Sequence, residues 1–155
     1  MRVLPFDRLA AALVLAALAL PVFAQDKAEK ITAPLKTIPV KIGSHPLKVE
    51  VADNDASRAR GLMFRQAMGR NDGMLFVFSE LGYHSMWMQN TYIPLSVAFI
   101  DGEGKILNIL DMEPKTTDTH TAAGPARYAI ETNKGWFAGK KIKVGDKVAG
   151  LPKGK

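Results

Sequence analysis

One stretch constrains this chain more than any other: Gly73 to Asp101, which reads GMLFVFSELGYHSMWMQNTYIPLSVAFID. It holds three short apolar runs, Met74–Phe78, Ser85–Asn90 and Leu95–Ile100. Ser79–Tyr83 and Thr91–Pro94 separate them, with Gly82 and Pro94 as breakers. Each run is too short for a typical globular helix, and Phe, Val, Ile and Trp suit a pleated, half-buried surface. Strands that are apolar on both faces must lie in the middle of a sheet, so all three are expected as central strands.

The remaining segments fit around that centre. Thr37–Ile42 and Leu47–Ala52 read as a hairpin turning through Gly43-Ser44-His45-Pro46. In the second strand Leu47, Val49 and Val51 alternate with Lys48 and Glu50, the pattern of a strand with one wet face. Asp53-Asn54-Asp55 offers N-cap chemistry for a short helix from Ala56 to about Leu62. Arg58 and Arg60 are expected to face water, while Leu62, Met63 and Phe64 return the chain to the core. Asp101-Gly102-Glu103-Gly104 is a hairpin turn leading to a strand over Lys105–Leu110. Asp111–Pro125 is a long polar loop, and Ala126–Thr132 a further strand. A short helical turn at Asn133–Lys141 and a closing segment, Ile142–Leu151, complete the chain. Many short strands with little helix predict a mainly β (α+β) domain: a strongly curled sheet or small barrel with one or two short helices.

The N-terminus is of a different kind. Arg2 and Arg8 precede an unbroken run of Ala, Leu and Val from Leu9 to Leu20, followed by Pro21 and Val22-Phe23-Ala24. That is the pattern of a secretory signal cleaved after Ala24. The run is too short for a membrane span, which needs about 20 apolar residues. Cleavage would leave 131 of the 155 residues and a formal charge of +5, so no transmembrane segment is expected afterwards. Residues 25–36 then form a polar, Lys-rich lead-in, and residues 37–152 a single domain. With no cysteine, the chain has neither disulfides nor a thiol for lipid attachment. A soluble periplasmic or secreted protein is expected. Its basic residues gather toward the C-terminus, yet no basic stretch interleaves with aromatics, so nucleic acid is not expected as a partner.

Several ordered motifs carry a resemblance. Gly61-Leu62-Met63-Phe64-Arg65, Gly73-Met74-Leu75-Phe76 and Trp87-Met88-Gln89-Asn90-Thr91, followed by Pro94-Leu95 and Phe99-Ile100-Asp101, are similar to the domain of unknown function 192 family. Arg127-Tyr128, Glu131, Gly135-Trp136 and Gly145-Asp146 continue it, over roughly Val40 to Val148. The resemblance implies a small, mainly β, often exported domain. It supplies no catalytic residue, because the family has no established activity. Gln89 stands where the family usually has Lys or Arg, and Met86 where Phe is more usual.

No familiar catalytic constellation is visible: no GxSxG, no HExxH and no phosphate-binding glycine loop. His84 and His120 with Asp111, Glu113 or Asp118 would make a zinc site only if the long loop folded over the core. His84, Met86 and Met88 would project from one face of a strand as a soft ligand set suited to Cu(I). Methionine is more often core filler, so no metal and no cofactor is expected. The favoured site is a binding surface of Arg65, Trp87, Gln89, Asn90, Arg127 and Glu131, an indole with polar and charged groups around it. Gly61–Arg65 and Gly73–Phe78 bracket one loop, so adjacent strands would return Arg65 near Trp87. The expected function is a periplasmic or exported binding or accessory module for an envelope-associated sugar or anionic ligand. The alternatives are a hydrolase or other enzyme on envelope polymers and a Cu(I)-binding protein.

Overall fold

A computed structural model describes residues 34–153. The stretch read as a signal, Met1–Ala24, and the lead-in up to residue 33 lie outside the described residues. Nine strands follow in order: β1 (Thr37–Ile42), β2 (His45–Ala52), β3 (Asp72–Gly82), β4 (Ser85–Met86), β5 (Leu95–Ile100), β6 (Ile106–Met112), β7 (His120–Thr121), β8 (Ala126–Asn133) and β9 (Val148–Ala149). Among the described residues there are also two short helices, α1 (Asp55–Arg60) and α2 (Trp136–Gly139). The fold is mainly β, as predicted.

Seven strands form one sheet in the order β6-β5-β8-β3-β2-β1-β9. Only β2 and β3 run parallel, and α1 lies in the crossover that joins them. The sheet curls until its edge strands meet at one end. There the Ile106 amide donates to the Asp146 carbonyl at 2.9 Å, and the Val148 amide to the Gly104 carbonyl at 2.8 Å. Gly104 permits this approach: it has φ +82°, and a Cβ would sit 2.9 Å from the Val148 oxygen. Closure removes much of the exposed backbone edge of an open sheet.

Burial explains the strand order. All six residues of β5 are buried, and Met74, Leu75 and Phe76 of β3 are buried on alternating faces. On one face Leu75, Ala98, Ile100, Tyr128 and Ile130 join β1, β2 and the α2 residues Trp136 and Phe137. On the other, Met74, Phe76, Leu95, Val97, Phe99 and Ala129 lie beneath Leu62, Met88 and Ile93, which come from loops. β1 and β2 keep one wet face: Lys41 and Lys48 are exposed while Val40, Ile42, Leu47 and Val49 are buried.

The structure corrects several expectations. Ser85–Asn90 is not a third central strand. Only Ser85 and Met86 pair, with Thr121 and His120, in a separate two-stranded sheet. The rest of the run is a loop plugged into the core by Met88, because an apolar side chain can be buried under a loop as well as within a sheet. Asp111–Pro125 is correspondingly less irregular, since it contains the end of β6 and all of β7. Helix α1 starts one residue earlier, where Asn54 Oδ1 accepts from the Ser57 amide at 2.9 Å in a capping box. Arg58 does not simply face water; it donates to the Val77 carbonyl at 2.8 Å. Phe64 does not enter the core but points out to solvent. Among the described residues, no helix is long and apolar enough to cross a membrane.

Candidate functional site

Three loops meet over the Met88 side of the sheet. Helix α1 ends at Gly61, whose φ of +47° reverses the chain. Leu62 then drops into the core and Phe64 is turned outward. The Phe64 amide donates to the Asn90 carbonyl at 2.9 Å, which ties this loop to the segment from Trp87 to Tyr92. That segment alternates. Met88, Thr91 and Ile93 are buried, while Trp87, Gln89, Asn90 and Tyr92 are exposed. The third loop is stitched on by the Lys115 amide, which donates to the Thr91 carbonyl at 3.0 Å, and by the Met88 amide, which donates to the Thr116 carbonyl at 3.1 Å.

The outer side of this junction is aromatic. Phe64 is 55% exposed, Trp87 52% and Tyr92 38%. Phe64 meets Tyr92 edge to face with ring centroids 6.0 Å apart, and the Lys115 ammonium lies 5.2 Å from the Tyr92 ring centre. Both are favourable geometries for an aromatic quadrupole. The backbone beneath is strained. Among the described residues four non-glycine residues have positive φ, and Phe64 (65°), Asn90 (57°) and Lys115 (61°) are three of them. A left-handed L-residue costs about 1–2 kcal/mol, and Asn bears it best. Phe and Lys carry that cost here because the hydrogen bonds between the loops fix their conformation. Such strain gathers at sites that hold a side chain in one place.

The residues singled out in the sequence divide among four places. Trp87, Gln89 and Asn90 are all exposed on the loop segment that also carries Tyr92. Arg65 follows Phe64 directly, but its guanidinium pairs with Glu50 of β2 at 2.6 Å, both side chains partly exposed. Arg127 is at the far end of β8 from the sheet's middle and donates to the carbonyls of Phe78 and Ser79. Glu131 is in the interior, 3% exposed, in register between Met74 and Val97. Burial deprives its carboxylate of water and pushes the carboxyl up to about 8. Arg127 and Glu131 therefore do not join the aromatic surface. Phe64, Tyr92 and Lys115 belong to the loop junction instead, and nothing local in the sequence marks them: Phe64 reads with the core residues beside it, and its exposure comes only from the fold.

The soft-metal set loses its geometry. The strand that would align His84, Met86 and Met88 is two residues long. His84 stacks on Phe78 with ring centroids 3.7 Å apart, and Met88 is fully buried. Among the described residues, no three His, Asp or Glu side chains are grouped to hold a metal ion, so the zinc arrangement of His84 and His120 with Asp111, Glu113 or Asp118 is not formed.

The family's sequence profile, described as an uncharacterized ACR, matches residues 38–150. The chain belongs to the domain of unknown function 192 family. A candidate transcription regulator from Sinorhizobium meliloti has a similar crystal structure, with 34% identity and a TM-score of 0.73 over 77% of this chain and 98% of that one. A protein of unknown function from Novosphingobium aromaticivorans is also similar, with 35% identity and a TM-score of 0.71 over 76% and 92% of the two chains. No curated protein matches. Three of the family's motif segments converge in this domain 192 fold: Gly61–Arg65 and Trp87–Thr91 join at the Phe64–Asn90 hydrogen bond, over a sheet containing Gly73–Phe76.

Proposed function

We propose that this protein is an exported binding or accessory module for an envelope-associated saccharide, using the Phe64–Trp87–Tyr92 surface as its platform. The observation that carries the reading is the exposure of the Trp87 indole on a loop whose neighbours Met88 and Thr91 are locked into the core. Contiguous exposed apolar surface marks an interaction site where a single exposed residue does not, and Phe64 and Tyr92 meet edge to face across the two loops joined by the Phe64–Asn90 hydrogen bond. The C–H face of a pyranose ring suits an aromatic face; Gln89 and Asn90 carry exposed amides on the same loop segment, and the Lys115 ammonium lies over the Tyr92 ring. An acidic sugar would gain from Lys115, so carboxylated saccharides are preferred over neutral ones.

Export rests on the leader pattern of Met1–Ala24, with cleavage leaving Gln25 as the first residue and a periplasmic or secreted product. Intact mass of the secreted chain tests that part. For binding, tryptophan fluorescence separates the two indoles of the chain. Trp136 is 7% exposed and donates to Asn71 Oδ1 at 3.1 Å, so an aqueous quencher reaches Trp87 far better. Titration with oligogalacturonate should blue-shift the emission and protect it from iodide. Trp87→Phe should remove the signal, and Phe64→Ala should weaken binding by about tenfold, equal to 1.4 kcal/mol. Unchanged quenching with oligogalacturonate and with chitotetraose would contradict the reading.

A further inference from the structure

Strands β3 and β8 part near one end of their pairing. Their pairing is regular from Gly73 to Val77 and resumes only at Gly82, after a shift of register. Arginines take up β3 carbonyls at the end of the ladder and beyond it: Arg58 donates to Val77 at 2.8 Å, and Arg127 to Ser79 at 2.7 Å. A guanidinium meets such carbonyls with several donors at once. Beside this gap is a cavity of about 280 Å³. Ile38, Val51, Val77 and Phe78 give it apolar walls, and Lys36 and Lys153 stand at its lining with Asp53. Neither lysine has an ion-pair partner among the described residues. Arg58 is already matched by Asp55, and of the charges that remain at the lining Lys36 and Lys153 outweigh Asp53, which leaves a net charge of +1.

We propose that this cavity binds a small amphipathic anion, with an acyl or aryl body against Ile38, Val51 and Val77 and a carboxylate held by Lys36 and Lys153. A cavity of about 150 Å³ already holds benzene, so this one takes a body roughly twice that size and is too small for a two-chain lipid. An apolar pocket with a few placed polar groups is the usual form of a small-ligand site. It shares no residue with the aromatic surface and does not depend on it.

Calorimetric titration of the full chain with octanoate, octanol and octylammonium tests the assignment. Octanoate should bind at least about tenfold more tightly than octanol, weaken with added salt, and exceed octylammonium by more. Lys36→Ala/Lys153→Ala, two surface changes that leave folding intact, should bring octanoate down to the octanol level. Ile38→Trp should fill the cavity and abolish binding of both, with circular dichroism confirming the fold. Octanoate binding unchanged in the double lysine variant, equal binding of octanoate and octanol to the parent chain, or no octanoate binding at millimolar concentration would each overturn the proposal.

Discussion

Phe64 and Asn90 are both non-glycine residues in the left-handed region, and the amide of the first donates to the carbonyl of the second at 2.9 Å. One hydrogen bond thus joins two conformations that neither residue would adopt freely. The pair behaves as a clamp between the loops that carry Phe64 and Trp87. Asn90→Gly should keep stability within about 0.5 kcal/mol, since glycine takes φ > 0 without a Cβ penalty. Asn90→Val should cost about 1–2 kcal/mol or more, a β-branched residue being poorly tolerated there. Urea denaturation of the two variants measures the difference.

The two tryptophans should answer truncation differently. Trp136 is packed against Phe137 and Ile142 in the core, and its loss should cost about 3–5 kcal/mol. Trp87 is half exposed, so burial of the remaining indole limits the cost of Trp87→Ala to about 2.5 kcal/mol. Thermal unfolding of both alanine variants checks the order.

Glu131 makes stability depend on pH. Its carboxyl is raised from 4.5 to about 8 in the folded protein, so the folded state binds a proton that the unfolded state has released between those values. The stabilisation is fully present below pH 4.5 and is lost as pH rises through 8, by an amount on the order of 5 kcal/mol. Glu131→Gln cannot ionise and should flatten this slope. Chemical denaturation of parent and variant at intervals across the window measures it.

Arg65 and Glu50 form a partly exposed ion pair, which limits what the pair can contribute. Their double-mutant cycle with alanine should give a coupling of about 1 kcal/mol or less, smaller again at high salt. A larger coupling would mean that the pair also fixes the loop carrying Phe64.

The central strands are legible in the sequence because β3 and β5 are continuous apolar runs of strand length, and the wet face of β2 is legible because Lys48 and Glu50 alternate with Leu47, Val49 and Val51. The α1 cap is legible in Asp53-Asn54-Asp55 for the same local reason. Ser85–Asn90 is not, because its apolar character comes largely from Met86 and Met88, which pack from the short strand β4 and the loop after it onto a sheet made elsewhere. Trp87 is legible as a candidate, but the partners of its surface are not. Phe64 sits in an apolar run, Lys115 in a polar loop, and only long-range hydrogen bonds to Asn90 and Thr91 bring the two together. Glu131 misleads for a related reason. Its neighbours in β8 do not reveal that Met74 and Val97 flank it inside the sheet.

The aromatic surface as the saccharide platform is best tested by amide chemical-shift mapping of the mature chain during titration with oligogalacturonate. The shifts should concentrate at residues 62–65, 87–92 and 113–116, with the Trp87 indole proton moving most and the buried Trp136 indole proton unmoved. Shifts confined to other faces of the sheet, or no shifts at saturating saccharide, would contradict it.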